Sequence, residues 1–289
     1  MAKIVIAGCG DIGRRIAALA AGKGAEVTGL VRSRESCDAL EQAGLACLQA
    51  DFGRPPLPSL DVTGSDVIYL APPPRRGETD PLIGNFLAAV QGKPRCFLYL
   101  STTGVYGDAG GGWIDESSPL DAQADRAMRR LDAERQVAGA AHDRGFDFLI
   151  IRVPGIYGPG RLPLARIRDR HPVLKAEIAP FTNRIHADDL AAVTLDLLET
   201  GKSGEIYNVT DGHPSTMTDY FRKVASYAGL EPPPEIDMQT AEQQLSAGML
   251  SYLRESRKIA NTKLLRTIGI GLRFPTLDDG LAAIFGKQS

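Results

Sequence analysis

Residues 7–13 read AGCGDIG, and this run constrains the fold more than any other part of the chain. It sets Gly8, Gly10 and Gly13 in a Gly-x-Gly-x-x-Gly pattern after the apolar run Lys3–Ala7 and at the start of the helical periodicity of Ile12–Ala21. In that context each glycine has its own use. Gly8 permits a tight turn, Gly10 lets backbone approach a pyrophosphate, and Gly13 lets a helix pack closely on a strand. The helix start, with Asp11 and Ile12, offers N–H groups and positive potential to phosphate. The pattern predicts a dinucleotide site in an α/β sheet.

The rest of the first half repeats the alternation of strand and helix. Strand-like runs are AEVTGLV, LACLQAD, DVIYLAPPP, RCFLYLSTTG and FDFLIIRVP; helical runs are RESCDALEQAG, Pro81–Val90 and Asp125–Arg144. Such alternation predicts a Rossmann-type, doubly wound parallel sheet with ligands at the carboxyl ends of its strands. Beyond Pro154 the pattern loosens. GIYGPGRLP reads as a loop, ADDLAAVTLDLLETG and STMTDYFRKVASYAG as helices, and a polar helical stretch runs to about Arg257. Glu205–Val209 is placed to add an edge strand. The expected division is a nucleotide-binding domain over 1–155 and a smaller C-terminal substrate lobe over 156–289, interleaved with the end of the sheet.

The end of the second strand selects the cofactor. An NAD site carries Asp or Glu there to accept from the ribose 2′-hydroxyl. Here Val31 takes that place, followed by Arg32, Ser33 and Arg34, and the first acid is Glu35. Arginine grips a 2′-phosphate that a carboxylate would repel, so the expected cofactor is NADP, with NAD possible. Asp51 and Phe52 end the third strand, where they would flank the adenine. Ala71 and Pro72 after the fourth strand and Pro154 after the sixth complete the expected cofactor contacts.

Lys and Arg number 33 against 35 Asp and Glu, a net charge of -2, so no global field favours nucleic acid or an anionic membrane. The N-terminal apolar run is too short for a signal peptide, and no segment approaches a membrane span. Cys9, Cys37, Cys47 and Cys96 show neither C-x-x-C spacing nor clustering with histidine. Reduced thiols in the cytoplasm and no metal are expected, with Cys9 a buried filler in the glycine loop.

Taken in order, the glycine loop, YLSTTGVYGD, IIRVPGIYGPGR and NRIHADDLA resemble the short-chain dehydrogenase/reductase superfamily, in its atypical or extended branch with nucleotide-sugar epimerases and dehydratases. The resemblance runs from about Lys3 to Val209. It implies a hydride-transfer site in which a strand-end Ser or Thr polarises the substrate oxygen, a Tyr exchanges its proton, and a Lys one turn on lowers the Tyr pKa. Thr102 matches the Ser/Thr position, with Ser101 and Thr103 beside it.

Aligned on Glu134, the family's Tyr and Lys positions fall on Arg126 and Arg130. No Tyr lies between Tyr106 and Tyr157, and no Lys between Lys93 and Lys175. Arginine, with a pKa above about 12, stays protonated at any ordinary pH, so Arg126 cannot replace the acid–base, although Arg130 can bind ribose or phosphate. Tyr106 and Tyr157 are the candidate phenols, each weighed against a purely structural hydrogen bond. Arg161, Arg184 and His186 fall on the substrate side, where Arg184 could clamp a carboxylate or diphosphate and His186 could hold the start of the following helix. Trp113 marks either a flap or an anchored surface loop.

Two readings stay open. One is an NADP-dependent oxidoreductase or epimerase/dehydratase-like enzyme on a small polar substrate. The other is a non-catalytic NADP-binding redox sensor. Monomer and homodimer are not distinguished.

Overall fold

Seven strands form the central sheet of the computed structural model, which describes residues 1–286. They are β1 (Lys3–Ala7), β2 (Glu26–Val31), β3 (Ala46–Gln49), β4 (Asp66–Tyr69), β5 (Cys96–Thr102), β6 (Asp147–Val153) and β7 (Ile206–Asn208), in the order β7-β6-β5-β4-β1-β2-β3. The pairs β1–β2, β1–β4, β2–β3 and β4–β5 run parallel. This is the doubly wound Rossmann arrangement that the alternation of elements predicts, and Ile206–Asn208 does supply an edge strand. Strands buried on both faces need continuous apolar runs, and β4 is buried at every residue.

The flanking helices are α1 (Asp11–Gly22), α2 (Arg34–Gln42), α3 (Pro81–Ala89) and α4 (Asp125–Arg144). On α1 the buried Ile12, Gly13, Ile16, Ala17 and Ala20 recur at helical spacing. Gly145 ends α4 in the left-handed conformation, φ 68°.

By its own contacts the chain divides into two units. The first holds Met1–Val105, Ala122–Arg152 and Leu190–Tyr207. Its core gathers Phe52, Tyr69, Phe86, Phe97 and Tyr99. The second holds Tyr106–Asp121, Val153–Asp189 and Asn208–Ser289. Its core includes Tyr157, Ile167, Phe221 and Leu281.

The polar helical stretch toward Arg257 is present as two short helices, Met238–Gln244 and Ala247–Leu253, the second capped by Ser246. Two expectations are corrected. GIYGPGRLP is not all loop: Gly155–Tyr157 forms a parallel strand with Arg184–His186, a partner too distant to be read locally. The cysteines are not all free, because Cys37 and Cys47 are joined by a disulfide while Cys9 and Cys96 remain thiols. The register pairing Gly29 with Cys47 and the return of α2 along β3 bring Cys37 and Cys47 to a Cα separation of 5.6 Å, within bridging range. No helix among the described residues is long and apolar enough to cross a membrane, and no cluster there suits a metal ion.

Candidate functional site

In the first unit the glycine loop turns back on β2, with Gly8 and Cys9 amides donating to the Leu30 carbonyl at 3.0 and 2.9 Å. Gly8 has φ +84°, and a Cβ there would lie 2.5 Å from the Ala71 nitrogen, so only glycine fits. Gly10 is the opposite case: it is exposed, and a Cβ on it would meet nothing within 4 Å. A Cβ on Gly13 would come within 3.2 Å of Ile6 and 3.3 Å of Cys9 Sγ, the close helix–strand contact expected of the third glycine.

No side chain caps α1, whereas Ser33 caps α2 and Asp80 caps α3. In the first turn of α1, Asp11 is half-buried and Ile12 buried, and no side chain caps the N–H groups there. Burial pushes the Cys9 thiol up to about 11, so it stays protonated near neutral pH.

At the end of β2, Val31 is buried and Arg32, Ser33 and Arg34 are exposed. Ser33 spends its hydroxyl on the Ser36 amide. Arg34 folds along its own helix onto Asp38 at 2.7 Å and Glu41 at 2.8 Å. Arg32 has no ion-pair partner among the described residues, and neither has Arg14, exposed on the first turn of α1. Asp51 Oδ1 accepts from the Gly53 amide. The Phe52 ring is turned into the core, 5.7 Å from Tyr69 and 5.2 Å from Phe86. Ala71 is buried against Gly8, Pro72 is exposed, and Pro154, in the second unit, is half-buried.

At the end of β5, half-buried Thr102 accepts from the Gly104 amide at 3.2 Å, which leaves its own hydroxyl proton available to donate. Ser101 donates to buried Glu134, and Glu134 receives Arg152 through Nε at 3.1 Å and a second nitrogen at 2.7 Å. This buried clamp ties α4 to β5 and β6. Arg126 and Arg130 are half-buried one turn apart. Arg130 bends to the Tyr99 hydroxyl at 3.1 Å and the Leu100 carbonyl at 3.0 Å. Burial pushes Tyr99 up to about 12 despite Arg130.

The second unit holds the substrate-side candidates. Tyr106 donates to Asn208 at 2.9 Å. Tyr157 donates to the Thr276 carbonyl at 3.2 Å, and burial raises its pKa well above the ordinary phenol value. Arg184 is buried, bonded to Ser215 at 3.0 Å and Thr182 at 2.8 Å, and stacked 4.2 Å from the Tyr220 centroid. His186 Nδ1 accepts from the Asp188 amide, and its ring lies 4.1 Å from Phe274. Asp189 receives the amides of Arg273 and Phe274. Burial pushes Asp211 up to about 6. Arg161 is exposed. Trp113 is 59% exposed, yet its segment is anchored: Ala109 and Gly111 donate to the Ser256 carbonyl, and Trp113–Ile114 pairs with Lys258–Ile259.

Residues 8–201 match the family model described as NAD(P)H-binding. The chain belongs to this NAD(P)H-binding family. Protein YeeZ of Escherichia coli K12 is 30% identical over 263 residues, covering 81% of this chain and 86% of YeeZ. A functionally unknown conserved protein from Silicibacter pomeroyi DSS shares the fold at a TM-score of 0.83, with 27% identity and 99% of each chain covered. MoeE5, solved in complex with UDP-glucose and NAD, is similar at a TM-score of 0.77 and 18% identity, covering 99% of this chain and 98% of MoeE5. The NAD(P)H-binding character and the epimerase-like fold are those the motifs led us to expect.

Three features of the site lie outside the sequence expectations. Arg34 is occupied by Asp38, a local i,i+4 pair that was open to inspection. Arg152, alone in an apolar strand, demanded a buried carboxylate, which Glu134 provides. Arg14, directly after the third glycine, was overlooked as a free cation.

Proposed function

We propose that the protein binds NADP(H) through its first unit and acts on a small polar, anionic ligand without a Tyr–Lys proton relay. One observation carries the cofactor preference: at the end of β2, where an NAD site needs an acid, Arg32 is exposed and has no carboxylate partner among the described residues. Arg34 is held by Asp38 and Glu41, so the 2′-phosphate falls to Arg32, with Arg14, exposed on the first turn of α1 and without an ion-pair partner among the described residues, as a second candidate. Gly10 and the uncapped start of α1 receive the pyrophosphate, and Asp51 lies on the adenosine side.

The nicotinamide cofactor supplies hydride chemistry when bound. Thr102 donates its free proton to a substrate oxygen, and Arg126 adds fixed positive charge that cannot accept a proton. Relatives include a protein solved with UDP-glucose and NAD, which supports a nucleotide-sugar-like ligand. A non-catalytic NADP-binding sensor is the second reading. It is favoured by the hydroxyls of Tyr106 and Tyr157 already donating within the second unit.

Calorimetric titration tests the cofactor assignment. NADPH should bind more tightly than NADH, and Arg32→Ala should weaken NADPH by ~1.5–3 kcal/mol with little change for NADH. Equal losses for both cofactors remove the phosphate role. Turnover separates the two readings: slow reduction of a carbonyl that depends on Thr102 supports the enzyme, and none with any carbonyl or nucleotide sugar supports the sensor. Fast turnover lost on Tyr157→Phe would show that a phenol had taken over.

A further inference from the structure

Cys37 and Cys47 join two segments on which the cofactor reading depends. Cys37 is the fourth residue of α2, the helix that begins at the Ser33 cap beside Arg32. Cys47 lies on β3, the outermost strand, whose sheet neighbour is β2 alone and which runs on toward Asp51. The disulfide thus ties the Arg32 turn to the Asp51 strand at the sheet edge. Its surroundings suit a reversible bond. Cys37 is buried and Cys47 half-buried, so an external thiolate meets Cys47 first. Cys47 pairs with Gly29, and Cys9 Sγ stands 3.1 Å from where a Gly29 Cβ would sit. That third sulfur is a protonated thiol near neutral pH and leaves its neighbour intact.

We propose that Cys37–Cys47 is a thiol–disulfide site, reduced by dithiols, whose redox state sets the affinity of the first unit for NADP(H). The proposal rests on the cofactor reading above. A thiolate of the dithiol attacks Cys47 Sγ, the Cys37–Cys47 bond breaks, and Cys37 leaves as a thiolate that takes up a proton. The second thiol of the reductant attacks the mixed disulfide and releases Cys47 as a thiol. Two electrons pass to the protein and the dithiol becomes a disulfide; a small disulfide such as oxidised glutathione reverses the exchange. In the oxidised protein the Arg32 turn and the Asp51 strand are ordered before the cofactor arrives. In the reduced protein the covalent tie is gone and the two segments keep only the β2–β3 ladder, the Gln49 bond to the Arg32 carbonyl and the turn bond from Leu45 to Leu40, so binding must supply the remaining order. Linkage then requires NADP(H) to protect the disulfide from reduction by the same factor.

The test titrates NADPH into full-length protein after treatment with oxidised glutathione and again after dithiothreitol, with alkylation and mass measurement counting thiols in each state. The oxidised protein should bind about 5- to 20-fold more tightly. Saturating NADPH should raise the ratio of reduced to oxidised dithiothreitol needed for half-reduction by the same factor. The C37A/C47A double variant should bind like the reduced protein and ignore dithiothreitol; if it fails to fold, the wild-type titrations alone decide. Equal affinity in two states of verified thiol content overturns the switch and leaves the cofactor reading standing. Failure of the disulfide to form also overturns it, and absence of NADPH binding in both states overturns the switch and the cofactor reading together.

Discussion

Arg32 in the first unit and Arg184 in the second read alike as anion-binding candidates, and their surroundings are opposite. Arg32 is exposed beside a capped helix, with no carboxylate among the described residues to hold it. Arg184 is buried, bonded to Ser215 and Thr182 and stacked on Tyr220. The contrast extends to their neighbours. Gly10 faces open space, α1 lacks a side-chain cap and Thr102 keeps a free proton. Tyr106, Tyr157 and Asp189 are each bonded inside their own unit. A buried polar group left unmatched is costly, so the fold satisfies it; a group meant for a charged ligand stays solvated until the ligand comes. By that contrast the candidate groups named in the first unit stay open to solvent, while Arg184, Tyr106, Tyr157 and Asp189 are bonded within the second.

The sharpest way to break this contrast is Gly10→Val. The open space in front of Gly10 predicts a variant that unfolds cooperatively near the wild-type temperature and binds neither NADPH nor NADH. Gly8→Val should instead damage the fold, because its side chain would strike the Ala71 backbone. Wild-type affinity in Gly10→Val would reduce the loop to a turn.

Next in size is the clamp under α4. Glu134→Ala leaves buried Arg152 without its carboxylate and should cost about 3–5 kcal/mol in denaturant unfolding. A loss below about 1 kcal/mol would show that the pair is incidental.

In the second unit Asp211 gives a pH signature. Burial lifts its carboxyl to about 6, above the unfolded value near 3.9, so the native state holds this proton more tightly. Its contribution is complete below pH about 4 and lost as pH rises through about 6, up to about 3 kcal/mol. Asp211→Asn should flatten that part of the stability profile, and an unchanged profile would contradict the assignment.

The smallest effect tests whether Tyr106 is structural. Tyr106→Phe removes the bond to Asn208 and should destabilise by about 1 kcal/mol without altering NADPH affinity. A variant of unchanged stability that loses turnover would move Tyr106 into the reacting machinery.

Local patterns were open to reading. AGCGDIG carries its turn, its close approach and its helix start within seven residues, and the periodicity of Asp125–Arg144 matches α4 from end to end. The basic turn after β2 and the lack of a Tyr-x-x-x-Lys pair were equally plain, because each concerns residue type at a short spacing. Tertiary structure decided the rest, since a side chain's availability depends on partners far along the chain. Tyr106 meets Asn208 across 102 residues, Tyr157 meets Thr276 across 119, and Arg184 meets Ser215 across 31. Cys47 meets Cys37 because strand register brings β3 beside Gly29 under α2. The sequence determined which groups the chain possesses and where its elements begin; burial and long-range pairing determined which of those groups remain free to meet a ligand.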